Sequence, residues 1–465
     1  MSDGTEHAQS GAGTAVGGLT ASGVQSGLIV IGAVAAALAV LAFGANCLVI
    51  IPGAVAMLAI MAKPELGVYA TLMALMLPIP FPVGSAVVYP HDATAVLLII
   101  AAFSAALRAK DFELPPLYYT VPAVAVVAVE LLSLANSSNL GPGAVEVVQQ
   151  FYLLLVAPAA FFLVLRNEIV LNRATKFFMA LMIVQVVLVC TQFIGVLAGD
   201  ESLSMFFAFG RDIFAGGQRV FGTVGPTVGP FIVASVFLWL NSRTRWTWKT
   251  LVLLLHVFAI FATGTRTAMF ALLVTLVFYG LFANRKGLSL KLLIPILAGG
   301  LIFAATMGFG QFLTSLDHRS DRLYRAPIDR KALGEVPEHP IIGHGPKSSA
   351  DVSISIFGAV KIGVENEYVA RIYENGVLGL AALLVFGSVP LLWCVAICRK
   401  HQRAGLLAAT LAAIIVGIYA IGPAGCIFEG ALGQWTAVFY AAMLAATSIS
   451  IRNAAGLQPV PNTCA

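Results

Sequence analysis

Long apolar runs, separated by short stretches with Pro, Gly or charged residues, follow one another along almost the whole chain. About 20 apolar residues let a helix cross a bilayer, whereas a membrane β-barrel would show ten-residue alternation, which is absent. The pattern predicts an all-α, polytopic transmembrane helix bundle of about 12–14 spans. The predicted spans are 27–44, 46–62, 66–80, 91–107, 117–135, 145–165, 174–197, 224–241, 250–263, 267–284, 292–311, 371–398, 405–422 and 432–450.

Composition supports this interpretation. The chain has 465 residues, of which 59% are hydrophobic and 11% charged, and its mean hydropathy is +0.92. These values exclude an ordinary soluble protein. The expected organisation is a disordered tail at 1–26, a membrane bundle at 27–311, a large external loop at 312–370, C-terminal spans at 371–450 and a cytoplasmic tail at 451–465.

The Lys and Arg residues define a predicted orientation. If the N-terminus is cytoplasmic and the chain crosses at each span, every inner connection is basic, and both termini are cytoplasmic. The 312–370 loop, between the eleventh and twelfth predicted spans, then faces outside. Cations on the outer side are confined to Arg211 and Arg219, to Arg266, and to the stretch between Arg319 and Arg371. Positive charge retained there suggests anion binding, although a loop this long also carries ordinary surface charge.

Arg266 lies in "FATGTRTAMFA", in a short break between two apolar runs. A guanidinium at this depth needs a partner, and its planar fork suits phosphate oxygens. A structural ion pair with Glu130 or Glu429 is the alternative. Arg219, in "GGQRVFGTVGPTVGPF", precedes Gly and Pro residues that let backbone amides approach a ligand. An irregular helix entrance would give the same pattern.

The 312–370 loop is longer than a connection requires, and we expect it to fold as a compact lid. Arg319, Arg322 and Arg325 would form one basic stripe on a helix, or simply a solvated face. His339 and His344 are separated by Pro and Gly residues and match no metal-ligand spacing, so no metal site is predicted.

The loop ends in "VENEYVARIYENGVLGL". On a helix, Glu367 and Glu374 can each pair with Arg371, which leaves Glu365 without a local explanation. A carboxylate beside a cationic surface can take a proton from a hydroxyl, as a general base for sugar transfer must. A solvated carboxylate, or a charge at a helix N-terminus, is the alternative.

Four short motifs resemble those of the O-antigen ligase and polymerase superfamily. Glu365-Asn366, nine residues and Gly376-x-x-Gly379 resemble its His-Asn, nine-residue, Gly-x-x-Gly motif. "HPIIGHGP" resembles its Pro-x-x-Gly-x-Gly turn, "ATGTRTA" its Ser-Arg junction, and "RVFGTVGPTVGP" its Arg-x-x-Gly-Thr entrance. The motifs occur in the family's order, over roughly residues 215–385.

The resemblance implies a GT-C type glycosyltransferase of the bacterial inner membrane, with its active site facing the periplasm. Such enzymes transfer a glycan from undecaprenyl diphosphate to a sugar hydroxyl without metal or cofactor. Glu365 takes the place of the catalytic histidine, and Arg219 and Arg266 match positions that hold the diphosphate. Arg319, Arg322 and Arg325 are further expected diphosphate contacts, and Asn366, Tyr368 and Arg371 are expected substrate contacts.

The change from His to Glu favours an O-antigen or exopolysaccharide polymerase over a ligase. A ligase that uses another acceptor, such as lipid A core, with His344 as base, is the alternative. The expected partners are the lipid-linked glycan, a sugar acceptor and membrane lipids, with a chain-length regulator and a flippase as further candidates; nucleic acid is not expected. A fourteen-span secondary transporter is the alternative of another class, but no internal repeat is evident.

Overall fold

The computed structural model describes residues 47–77, 81–83, 86–200, 202, 213–214, 217–218, 228–283, 294–302, 305, 325–352, 354–356, 360–398, 404–424 and 430–457. The chain divides into two compact units, Met1–Ala59 and Ile60–Ala465. Arg219, Arg319, Arg322 and Glu429, as well as the predicted tail at 1–26, lie outside the described residues.

Helices dominate the described chain. In sequence order they are α1 (Cys47–Ala62), α2 (Pro64–Ala74), α3 (Pro90–Ala109), α4 (Leu117–Ser133), α5 (Leu140–Phe151), α6 (Ala157–Leu165), α7 (Glu168–Ala198), α8 (Val228–Asn241), α9 (Trp246–Ala262), α10 (Arg266–Phe282), α11 (Ala326–Glu335), α12 (Glu367–Cys398), α13 (Ala404–Ala420) and α14 (Gly430–Ala454). Residues 294–302 are also helical. A π-helical turn, Tyr152–Val156, joins α5 to α6.

In the described ranges, three short antiparallel hairpins interrupt the helices: β1 (Phe81–Val83) with β2 (Ala86–Val88), β3 (Ile213–Phe214) with β4 (Gly217–Gln218), and β5 (Ile354–Ile356) with β6 (Val360–Ile362). In the last of these, Ile354 pairs with Ile362 and Ile356 with Val360. This hairpin belongs to the predicted external loop.

Within the part of the chain that the structure describes, six helical segments are long and apolar enough to cross a membrane: Pro90–Ala109, Leu117–Asn136, Leu140–Leu165, Glu168–Ala198, Glu367–Ile397 and Leu432–Ala454. The apolar helices α8, α9, α10 and α13 are shorter. The predicted helical membrane bundle is therefore confirmed in outline, while the span number and the loop position stay predictions.

Burial separates central from peripheral helices. The most apolar stretch of Leu432–Ala454 is 83% buried, whereas those of Pro90–Ala109, Leu117–Asn136 and Glu367–Ile397 are 33% buried. Buried aromatic side chains, including Trp435 and Tyr440 of α14, lie in the central core. The outer helices expose large apolar side chains such as Leu131 and Leu392, as expected for surfaces that face lipid.

The π-helical turn has a local cause. Pro158 has no N–H, so it cannot bond the carbonyl of Leu154 four residues earlier. The hydroxyl of Tyr119, from α4, donates to that carbonyl oxygen at 2.8 Å. Backbone groups within a bilayer must be satisfied inside the protein, and this contact supplies the missing bond.

Several helices begin earlier than the apolar runs predict, and two of them carry an asparagine cap. α7 starts at residue 168 rather than 174, because the side chain of Asn167 accepts from the N–H groups of Ile169 and Val170. α12 starts at residue 367 rather than 371, and Asn366 caps it in the same way. Capping by a polar side chain lets a helix begin within a polar segment.

Candidate active site

The described part of the predicted external loop is folded. α11 buries Ile328 and Ala332 in a small apolar cluster with Val352 and Val364, and this cluster extends to Tyr373 on α12. The loop therefore packs on the beginning of α12, as the expected compact lid requires.

α12 is interrupted at Gly376, which has φ 65° and ψ −166°. The helical hydrogen bonds that the break removes are replaced by the loop. Val377 N–H donates to the Pro340 carbonyl at 2.9 Å, and Leu378 N–H donates to the Ile341 carbonyl at 3.2 Å. Residues 340–341 thus cap the N-terminus of the second half of α12.

The same turn of the loop, residues 340–345, caps the first half of α12. His344 N–H donates to the Tyr373 carbonyl at 3.0 Å, and Gly345 N–H donates to the Glu374 carbonyl at 2.9 Å. A Cβ on Gly343 would lie 2.3 Å from backbone atoms of Glu374. The Pro-x-x-Gly-x-Gly and Gly-x-x-Gly motifs are therefore two sides of one interlocked structure.

A buried ion cluster lies beside this break. The Arg371 guanidinium donates through Nε to Glu367 Oε1 at 2.6 Å and through Nη1 to Glu130 Oε1. The side chains of all three residues, here called the Arg371 centre, are at most 5% exposed. The predicted pair of Glu367 and Arg371 is confirmed. The suggested pairing of Glu130 with Arg266 is wrong, because Arg371 takes Glu130.

Glu365 and Arg325 form an accessible ion pair. Arg325 Nη2 lies 2.7 Å from Glu365 Oε2, and the two side chains are 37% and 46% exposed. Next to Glu365, Asn366 Nδ2 donates to Asp329 Oδ2 at 3.4 Å. Burial raises the pKa of Asp329, while the bond from Asn366 and the charge of Arg325 act in the opposite direction.

Glu365 lies on the wall of a cleft of about 260 Å³ between the loop, α5 and α12. The charged residues that line this cleft are Glu146, Lys347, Glu365, Glu367, Arg371 and Glu374. Four carboxylates and two cations thus surround one small space. The cleft brings the predicted base together with Arg371, and Arg325 reaches it through Glu365.

Glu146 and Lys347 were missed by the sequence analysis. Lys347 Nζ lies 3.2 Å from Glu146 Oε2, and Gln150 Nε2 donates to Glu146 Oε1 at 2.7 Å. Glu146 falls inside the predicted span 145–165, and an ionisable residue in an apolar run is itself a signal of function. Lys347 has φ 67°, a left-handed conformation that is rare outside glycine and that sequence does not reveal.

His344 and Tyr368 have structural contacts. His344 stacks on Tyr373 with 4.4 Å between ring centroids, and its Nε2 lies 3.1 Å from the Glu335 carbonyl oxygen. Tyr368 donates through its hydroxyl to the Tyr419 carbonyl at 2.6 Å. Neither side chain is among the residues that line the cleft.

Two histidines of the loop are neighbours: the rings of His339 and His344 are 4.8 Å apart. Among the residues that the structure describes, no group of three His, Cys, Asp or Glu side chains is placed to hold one metal ion.

Arg266 is the first residue of α10 and is partly buried. The turn before it is held by a 2.7 Å hydrogen bond between the hydroxyls of Thr263 and Thr265. The beginning of α8 packs tightly here, since a Cβ on Gly229 would come within 2.5 Å of Ala268. Gly229 is the second-last residue of the motif that begins at Arg219, so two of the predicted motifs converge at this turn.

Arg266 and the cleft lie toward the same end of the bundle. Thr275 of α10 lies against Gly417 of α13. One turn further along α10, the Tyr279 hydroxyl donates to Asn241, and Asn241 donates in turn to Thr410, which comes earlier in α13. The two helices therefore run antiparallel, and α10 begins at the end where α13 finishes. Tyr368 contacts that same end of α13.

A helical membrane bundle with a loop locked into a broken helix, and with a charged cleft beside the break, defines a polytopic membrane protein with a site at one end. Residues 250–384 match the family model described as O-antigen ligase. The match includes Arg266, the loop turn and Glu365, and it confirms the resemblance to the O-antigen ligase and polymerase superfamily. No curated protein matches the chain.

Proposed function

We propose that the protein is a polysaccharide polymerase of the bacterial inner membrane that transfers a glycan from undecaprenyl diphosphate to a sugar hydroxyl at the periplasmic face. The observation that carries the proposal is the position of Glu365 within the matched segment: an accessible carboxylate, 2.7 Å from Arg325, on the wall of a cleft. A general base for an incoming hydroxyl needs such exposure.

In the proposed reaction, Glu365 takes the proton of the acceptor hydroxyl as the hydroxyl oxygen attacks the anomeric carbon. The bond between that carbon and the diphosphate oxygen breaks, and the leaving diphosphate keeps the electron pair. Attack opposite the leaving group inverts the anomeric centre. Arg325 holds the Glu365 carboxylate at the cleft wall through their 2.7 Å ion pair.

Fixed cations stabilise the charge that develops on the leaving diphosphate. Arg266 and Arg325 are the described candidates, and Arg219, Arg319 and Arg322 are candidates by sequence. Arg371 has a different proposed role. Its guanidinium already contacts Glu130 and Glu367, so we assign it to holding the cleft wall, where substrate can still touch it.

The test uses purified protein in lipid with a labelled undecaprenyl-diphosphate repeat unit. Wild type should give a ladder of products, and Glu365→Gln should lower the rate by about 10²–10⁴-fold. Arg266→Ala should also lower it. Glu338→Gln is the matched control, because Glu338 is an exposed glutamate of the same loop away from the cleft. Full activity of Glu365→Gln would remove the proposed base.

A ligase is the second candidate, since the matched family model is described as O-antigen ligase. A ligase would consume the donor only when a separate acceptor is added and would give one product instead of a ladder. If His344 were its base, His344→Gln would lose transfer while Glu365→Gln retained it. The same assay therefore separates the two activities. A chain-length regulator and a flippase remain proposed partners.

A further inference from the structure

Among the described residues, carboxylates outnumber cations in the cleft beside the break in α12. Glu146, Glu365, Glu367 and Glu374 face two cations, Lys347 and Arg371. The neighbours Arg325 and Glu130 add one charge of each sign. A doubly charged diphosphate would meet repulsion in such a space, so the cleft itself is not suited to the leaving group.

Glu374 supplies an unused acceptor to the cleft. Its side chain accepts at Oε1 from the Ser349 hydroxyl at 2.5 Å and from Ser349 N–H at 3.3 Å. Among the described residues its second oxygen, Oε2, accepts no hydrogen bond, and it is not one of the fully enclosed unsatisfied oxygens, although Glu374 as a whole is only 6% exposed and lines the cleft. A carboxylate oxygen of this kind at a cleft can accept a hydrogen bond from a ligand or from water.

The remaining polar groups of the cleft are held in place. Lys347 is fixed by Glu146, and Glu146 is fixed in turn by Gln150. Arg371 is fixed by Glu367. Such preorganised groups favour a ligand that brings its own donors and that fits without rearrangement.

The volume of the cleft further limits the class of ligand that can bind. Pockets for drug-sized ligands usually measure about 300–1,000 Å³. The cleft, at about 260 Å³, suits one sugar ring rather than a long oligosaccharide. A sugar ring offers several hydroxyl donors on one small rigid frame, which matches a space rich in carboxylate acceptors.

We propose that this cleft binds the terminal ring of the acceptor glycan and selects a ring without a carboxylate, so that neutral and amino sugars enter and uronic acids are excluded. Glu374 Oε2 and Glu146 accept hydrogen bonds from the ring hydroxyls, while Glu365, on the cleft wall, faces the hydroxyl that reacts. The assignment of this ring to the acceptor glycan rests on the proposed function, whereas the binding of a sugar ring in the cleft does not.

The test measures binding without transfer. Full-length protein in lipid nanodiscs is mixed with methyl glucoside, methyl galactoside, methyl glucosaminide or methyl glucuronide, and saturation transfer from protein to sugar protons is recorded by NMR. Empty nanodiscs give the background. The neutral and amino sugars should give signal, and the uronide should bind about tenfold more weakly or not at all. Equal or stronger signal from the uronide would overturn the proposal.

Two variants test whether the NMR signal comes from sugar bound in the cleft. Ala350→Phe places a ring at the cleft lining without removing a charge, and Glu374→Gln removes the unused carboxylate oxygen; both should lower the neutral-sugar signal about tenfold. Leu333→Phe is the matched control, because Leu333 is exposed on α11 outside the cleft lining. Undiminished signal in Ala350→Phe, with the protein folded, would place the sugar elsewhere.

The transfer assay on the same preparations separates the two proposals. If sugar binding depends on Ala350 and Glu374 but wild type shows no transfer activity, the proposed polymerase function is wrong. The proposed sugar site is then still supported. Transfer by wild type that persists in Ala350→Phe would keep the enzyme and overturn the assignment of this cleft to the acceptor.

Discussion

Two buried arginines lie near opposite ends of α4 and have very different partners. Arg166, which is 4% exposed, contacts Asp111 at 2.5 Å and Glu113 at 3.1 Å, and these carboxylates are 39% and 50% exposed. Arg371 is as deeply buried, but its partners Glu130 and Glu367 are buried with it. Arg166 therefore pairs with hydrated carboxylates, whereas Arg371 belongs to an enclosed cluster.

The difference concerns desolvation. Asp111 and Glu113 keep much of their hydration, so their pairing with Arg166 fastens the connection before α4 at small cost. Arg452 also donates to the Arg166 carbonyl at 2.7 Å, which ties in α14. Enclosing three charged groups in the Arg371 centre costs several kcal/mol per ion, and such clusters are often no more stable than apolar packing. We infer that the Arg371 centre serves the shape of the cleft rather than net stability.

The largest expected effect comes from breaking the enclosed cluster. Arg371→Ala should lower the free energy of unfolding by about 3–5 kcal/mol, because two buried carboxylates lose their cation. Arg166→Ala is the matched change and should cost about 1–2 kcal/mol, because its carboxylates can hydrate. Denaturation of the detergent-solubilised variants measures both. Equal losses would contradict the distinction drawn here.

The next effect comes from the break in α12. Gly376→Ala should cost about 2–3 kcal/mol, since φ is positive and the new Cβ would lie 2.3 Å from the backbone of Ile341. Gly199→Ala is the control, because Gly199 also has positive φ but nothing within 4 Å of the added atom. It should cost only about 1 kcal/mol. Thermal unfolding compares the two, and similar shifts would show that the contact with the loop matters little.

A smaller effect is expected at two matching helix caps. Asn167 caps α7 beside Arg166, and Asn366 caps α12 beside the cleft. Each change to Ala should lower stability by about 1 kcal/mol. Asn366→Ala should in addition lower glycosyl transfer, because it loosens the segment that carries Glu365, whereas Asn167→Ala should leave the rate unchanged. Transfer rates that fall equally in both variants would refute a local role for Asn366.

The smallest effect concerns pH. Burial raises the pKa of Asp329 in the folded protein, so the folded state holds this proton more tightly than the unfolded state. The resulting contribution to stability is full below the unfolded pKa of about 3.9 and is lost as pH rises through the higher folded value. Asp329→Asn should remove that pH-dependent loss, as unfolding measured across mildly acidic pH would reveal. If stability depends on pH in the same way in Asp329→Asn and wild type, the contribution assigned to Asp329 is wrong.

The sequence predicted the features that depend on residues close to one another along the chain. The apolar runs gave the helices, the break before Arg266 was visible as a charged interruption, and Glu367 with Arg371 followed from helical spacing. The contact of Arg371 with Glu130 joins residues 241 positions apart, and no local pattern encodes it. The same holds for Glu146 with Lys347. The predicted base and a predicted phosphate ligand turned out to be paired with each other, since Glu365 and Arg325 meet only through the fold.

The interlocking of residues 340–345 with both halves of α12 also sets where the molecule can be divided. A chimaera that exchanges the predicted external loop at its boundary with α12, near residue 366, would separate the loop from the carbonyl and N–H groups that it caps. A transplantable module must instead extend past Gly379. Anyone who wishes to move the proposed acceptor site onto another membrane scaffold would have to carry the broken helix with it.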